Sequence, residues 1–170
     1  MGLRCVPPVH RATEDVRMIR RQKRIEWIAA VAKENLAAKS AADLLKAQLQ
    51  ADPNYGGSQG WEARDGVAFD ANLESTYIIR LYAEFEAGVR DYWANHLKRT
   101  THPPMIQLLQ LLADQRISID RLEDADAVRD YRNFLVHSES GEPPPDMRTL
   151  TVAEAKTHLC YFFGRLDTDW

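Results

Sequence analysis

Glycine and proline are confined to a few short stretches of this 170-residue chain, and that distribution limits its architecture more than any other feature. All eight prolines and six of the eight glycines fall within residues 2–8, 53–66, 103–104 and 141–145. Only Gly88 and Gly164 interrupt longer segments. A sandwich or barrel needs a turn roughly every 8–12 residues, so this spacing excludes both and predicts a helical bundle. The length suits one domain with a sizeable core.

The segments between the clusters carry helical periodicity. Over residues 13–51, Ile25, Ile28, Ala29, Ala32 and Leu36 repeat at three- and four-residue steps, and Ala41, Leu44, Leu45 and Leu49 resume the stripe. This predicts one long helix, or two with a break near residues 38–40. Arg17, Arg20, Arg21 and Arg24 form a second, basic stripe, which reads either as a solvated face or as a surface that tracks phosphates. Residues 53–66 form a polar connection, with Trp61 placed to pin it to the body. A second long helix is expected over 73–97, where Ile78, Leu81, Tyr82, Phe85, Val89, Tyr92 and Trp93 make a wide aromatic stripe.

Pro103 and Pro104 open a shorter helix that ends near 113–116. Asp120 with Glu123 resembles a capping box for a fourth helix, which runs through Val128, Tyr131 and Leu135 and stops around 137–141. Thr151 with Glu154 makes a capping-box start for a last one. The expected fold is all-α, a four- to five-helix bundle with two long helices over residues 13–166. Residues 1–12 are expected to form an N-terminal arm and 167–170 a C-terminal tail.

Composition narrows the class further. Cys5 and Cys160 stand in no metal or redox spacing, so neither a zinc site nor a disulfide framework is expected. No metal and no cofactor is expected. The chain starts without the apolar stretch of a signal peptide and has no run long enough for a membrane helix, so a cytoplasmic protein is expected. The net charge of −3 hides an asymmetry: residues 1–50 hold ten Lys/Arg against five Asp/Glu, a net of +5. Arginine outnumbers lysine sixteen to six, which favours forked contacts with phosphates or carboxylates.

The chemistry concentrates in Arg129-Asp130-Tyr131-Arg132-Asn133-Phe134-Leu135-Val136-His137. On a helix, Val128, Leu135 and Tyr131 define a core face, and Arg132 lies at its edge, half-buried and in need of partners. Asn133 and His137 sit one turn apart on the neighbouring face, with Arg129 between them and Arg132. Histidine can act as general base on a ribose 2′-hydroxyl or as general acid on the leaving 5′-oxygen. Arginine stabilises charge on the phosphorane oxygens, and asparagine can orient the phosphate or the imidazole. This set can cleave RNA without a metal. One histidine does not easily supply both proton transfers, whereas a symmetric dimer offers two histidines and two arginines in one cleft.

Arg132-Asn133-x-x-x-His137 resembles the R-x(4–6)-H signature of the HEPN superfamily, in the form with a polar residue directly after the arginine. The segment from Tyr77 to Trp93 resembles the long helix that precedes that motif in those domains. The likeness in helix order spans most of the chain, while the residue-level match is limited to these two segments. HEPN proteins are compact helical bundles that usually dimerise through the motif helices. Many are metal-independent endoribonucleases of toxin–antitoxin, abortive-infection or CRISPR-associated systems. The resemblance therefore implies Arg132 and His137 as the catalytic pair, with Asn133 assisting and Arg129 supporting. It implies that Glu86, or Glu84, holds Arg132 in place. The implied partners are an RNA substrate, a second copy of the chain, and an antitoxin or defence-system protein on a separate polypeptide.

Two other functions fit the same residues. One is a non-catalytic HEPN-like module that binds RNA, a nucleotide or a protein, in which the basic stripe matters more than His137. The other is a structural adaptor whose aromatic faces serve oligomerisation. His96, His102 and His158 are expected in packing, capping or solvent-facing roles, and Tyr131 and Tyr161 as core or interface aromatics.

Overall fold

The computed structural model describes residues 10–57, 60–113, 117–138 and 141–167, with side chains from residue 21 onward. Five α-helices and no strand occur among the described residues: α1 (His10–Ala51), α2 (Ala63–Asp91), α3 (Met105–Ala113), α4 (Ile119–His137) and α5 (Val152–Arg165). The all-helical bundle with two long helices expected from the glycine and proline pattern is what the chain forms.

The first helix is continuous over its 42 residues, about 63 Å at 1.5 Å per residue. The break expected as an alternative near residues 38–40 is absent. Ser40 instead donates its hydroxyl to the carbonyl of Leu36 at 3.1 Å, satisfying the side chain within the helix. The helix begins at His10, three residues inside the expected arm.

The second helix starts ten residues earlier than its apolar stripe. Glu62 and Asp65 form a reciprocal capping box, with the Glu62 amide donating to Asp65 Oδ2 at 2.7 Å. The polar connection is therefore shorter than expected. Gly66 lies inside the helix, where a Cβ would come within 2.9 Å of Leu49 Cδ1. Trp61 does pin the connection: its ring lies edge-on to Tyr55 at 6.2 Å and covers Gly56 closely. At its far end α2 passes into a π turn, Tyr92–His96, which closes on Lys98 with φ of 53°.

The fourth helix begins at Ile119 behind Ser118, one residue before the expected cap. Asp120 falls in the first turn, where its charge suits the helix dipole, and Ser118 supplies the carbonyl for Arg121 and Leu122. The last helix starts as its capping box predicts: the Thr151 amide donates to Glu154 Oε2 at 2.9 Å, and Thr151 Oγ1 accepts from the Glu154 amide at 3.2 Å.

The core runs through all five helices. Ile28 of α1, Ile78, Leu81, Tyr82, Phe85 and Val89 of α2, Leu108 and Leu109 of α3, Val128 of α4, and Leu159, Phe162 and Phe163 of α5 are fully buried. Phe85 sits at the centre, edge-on to Phe162 at 5.5 Å and to Phe163 at 5.0 Å. Leu166 is buried, and Asp167, assigned to the tail from sequence, accepts a hydrogen bond from the Tyr92 hydroxyl at 3.1 Å. The structural chain thus packs one residue past the expected boundary. This arrangement lays α4 against both α2 and α5 and leaves Val136 and His137 at its C-terminus exposed.

Candidate functional site

The last two turns of α4 carry Arg132, Asn133 and His137, and their environments differ sharply. Val128 is fully buried, whereas Tyr131 and Leu135 are only partly buried against the core. Arg132 occupies the edge of that face. Its guanidinium carbon lies 5.7 Å from the centre of the Tyr82 ring, and its Nε is buried without a hydrogen-bond partner. Nη1 donates to Asn133 Oδ1 at 3.0 Å. Among the described residues no carboxylate lies within ion-pair distance of Arg132.

The acid expected to hold Arg132 is engaged elsewhere. Glu86 accepts from Arg90 Nε at 2.9 Å and from Nη2 at 2.8 Å, a pair one turn apart along α2. Glu84, the alternative, faces α1 and lies 3.9 Å from Arg24. A wheel of α2 shows that these acids flank its core stripe but not which neighbouring helix each one meets. Arg129 is also committed, with Nη1 at 2.7 Å from Asp126 and Nη2 at 2.7 Å from Asp130. Beneath the two arginines the Tyr82 hydroxyl is buried with no hydrogen-bond partner among the described residues. Burial, reinforced by the charge of Glu86 and opposed by Arg129 and Arg132, pushes its phenol well above the ordinary range.

On the outer side, Asn133 and His137 line a groove of about 690 Å³. Its opposite wall is the loop before α5, including Pro144, Met147 and Arg148. His137 is exposed, and no described residue hydrogen-bonds its ring. The side-chain oxygen of Asn133 is taken by Arg132, which leaves its amide N–H groups available to a ligand. One helix therefore presents a guanidinium with no neutralising acid, a tethered amide and an imidazole with no hydrogen-bond partner, all among the described residues.

The basic stripe of α1 is arranged differently from the phosphate-tracking surface considered from sequence. Arg21 donates to the carbonyl of Leu166 at 3.2 Å. Arg24 stacks on Trp27 at 4.8 Å and lies within 4 Å of both Glu84 and Asp91. Both side chains serve packing between helices. The side chains of Arg17 and Arg20 lie outside the described residues, as does Cys5. Cys160 is a free thiol, and burial pushes its pKa up.

Sequence reasoning missed a second cluster at the α4–α5 seam. Asp124 of α4 accepts from Arg148 at 2.9 Å and from Arg121 at 3.1 Å, and lies 3.1 Å from His158 Nδ1 of α5. Burial raises the Asp124 carboxyl, but Arg148, His158 and Arg121 more than offset this and hold it below the ordinary carboxylate range. Nearby, Tyr161 lies under Arg121 at 4.2 Å and receives a 2.6 Å hydrogen bond from Arg165, which draws its phenol below the usual value. The 121/124 and 158/161 pairs share helix faces in the sequence, yet nothing there reveals that the two faces meet.

The chain matches no protein-family model, no curated protein and no solved structure. No described helix is long and apolar enough to cross a membrane.

Proposed function

We propose that this chain is a metal-independent endoribonuclease of HEPN type, acting in the cytoplasm as a homodimer within a defence or toxin–antitoxin module. The observation that carries the proposal is the half-buried guanidinium of Arg132, which has no carboxylate partner among the described residues and stands beside Asn133 and the exposed His137. Leaving an arginine uncompensated at the edge of a core is costly unless an anion arrives from outside. A scissile phosphate is such an anion.

In the proposed reaction, His137 accepts the proton of a ribose 2′-hydroxyl while that oxygen attacks the adjacent phosphorus. The bond to the 5′-oxygen breaks, and a second imidazole, supplied by the other copy, donates the proton that the leaving oxygen needs. The products are a 2′,3′-cyclic phosphate and a 5′-hydroxyl. Arg132 stabilises the charge on the non-bridging oxygens, with Asn133 holding its fork in place. Val136, apolar and exposed beside His137, suits a contact between two copies.

The test is incubation of the purified protein with mixed RNA in EDTA. Wild type is expected to release cyclic-phosphate ends, and His137→Ala to lose at least a hundredfold in rate. Absence of cleavage by the wild type, or equal cleavage by the variant, removes the enzymatic claim.

A further inference from the structure

We propose that Arg148 is a phosphodiester-binding residue at the rim of the groove, held from behind by Asp124 and His158. The inference deepens the ribonuclease reading and takes from it the identity of the anion.

Arg148 reaches the groove from a loop stiffened by three consecutive prolines, Pro143 to Pro145, and turned at Gly141, whose φ of 72° is available to few other residues. Its Nη1 donates to Asp124 Oδ1 at 2.9 Å, and its Nη2 lies 3.0 Å from His158 Nε2. A guanidinium has only donors, so in this contact His158 Nε2 is the acceptor. Asp124 lies 3.1 Å from His158 Nδ1, and the histidine, 11% exposed, backs the arginine fork.

Two of the five N–H groups of Arg148 are used in this way. Three remain on a side chain that is 50% exposed and lines the same groove as Asn133 and His137. A planar fork whose conformation is already set loses little entropy when it grips two oxygens of one phosphate.

The surrounding charges leave that fork attractive to an anion. Asp124 is shared between Arg148 and Arg121, so one negative charge serves two positive ones. Glu154 also faces Arg148 and His158, but its Oε2 is occupied by the Thr151 amide and hydroxyl. Within the groove, Asp130 is bridged by Arg129. Asp146 adds an acceptor suited to a ribose hydroxyl or a base amino group.

The experiment measures binding of a fluorescent ten-nucleotide 2′-O-methyl RNA, which cannot be cleaved, as a function of salt. Arg148→Gln is expected to bind about tenfold more weakly, and its log–log salt slope to fall by about 0.7, the share of one phosphate on a single strand. His158→Ala and Asp124→Asn keep the Arg148 charge and lose its anchoring, the second also removing a carboxylate beside it. They are expected to weaken binding several-fold at an unchanged slope, with His158→Gln restoring part of it. In the wild type, bound oligomer is expected to protect Arg148 from phenylglyoxal, read by peptide mass, which needs no variant to fold.

Wild-type affinity and slope in a folded Arg148→Gln, or unprotected Arg148 in the complex, overturn the proposal. So does a wild type that binds no oligomer. If binding depends on Arg148 but the 2′-hydroxyl counterpart is never cut, the ribonuclease reading fails and this one stands. If RNA is cut with dependence on His137 and an unchanged KM in Arg148→Gln, the reverse holds.

Discussion

Arg132 and Arg129 lie less than one helical turn apart and have opposite fates. Arg129 is 13% exposed and clamped by Asp126 and Asp130, so its charge is spent inside the chain. Arg132 leans on the Tyr82 ring and shares its fork only with an amide. The proposed chemistry therefore depends on Arg132. Replacing it with Ala is expected to lower the cleavage rate by about 10²–10³-fold, the cost of losing one donor to a developing oxyanion. Replacing it with Lys is expected to recover little, because an ammonium lacks the fork and the stacking plane. Initial rates on one RNA substrate decide the point, and a fully active lysine variant would contradict a role for the fork.

Asp124 supports a residue-scale prediction about pH. Its folded pKa lies below the ordinary value of 3.8, so the stability it contributes is present above that value and is lost as pH falls through the folded one. Urea midpoints measured from pH 6 down to pH 2 are expected to fall more steeply for wild type than for Asp124→Asn. Parallel profiles would show that the carboxylate contributes nothing specific.

At the scale of elements, the contact between α2 and α5 is set by Gly88. A Cβ there would lie 2.6 Å from Phe163 Cζ, and Phe163 is fully buried against Phe85. Gly88→Ala gains about 1 kcal/mol of helix propensity but forces an overpacked core, which costs about 1–3 kcal/mol. Net destabilisation of about 1 kcal/mol is expected from urea unfolding; a stabilised variant would show that α5 can move aside. Helix boundaries had a similar dependence on local chemistry. Thr151 and Glu154 announce α5 because both halves of their box lie in one four-residue stretch. Glu62 and Asp65 form an equivalent box with two acids, a pairing outside the usual Ser/Thr–Glu pattern, so the apolar stripe alone points to a start ten residues late.

Across the whole molecule, the groove lies between the last turns of α4 and the proline-rich loop before α5. If two copies complete the site, the chain is expected to sediment near twice its 19.4 kDa mass. Specific activity is then expected to fall on dilution as the dimer dissociates. A monomer whose specific activity is independent of concentration would place both proton transfers within one chain.

The sequence by itself determined the helical class, the two long helices, the capped start of α5 and the position of Arg132, Asn133 and His137 on the last two turns of α4. These follow from periodicity and capping, which act over a few residues and are written in the order of the chain. Only the tertiary structure decided which charges are spent. It paired Glu86 with Arg90 rather than Arg132, committed Arg21 and Arg24 to helix packing, and joined Asp124, Arg148 and His158 across the α4–α5 seam. A charged side chain takes whichever partner packing brings within about 4 Å, and that neighbour is set by how helices cross, which no spacing along one helix encodes.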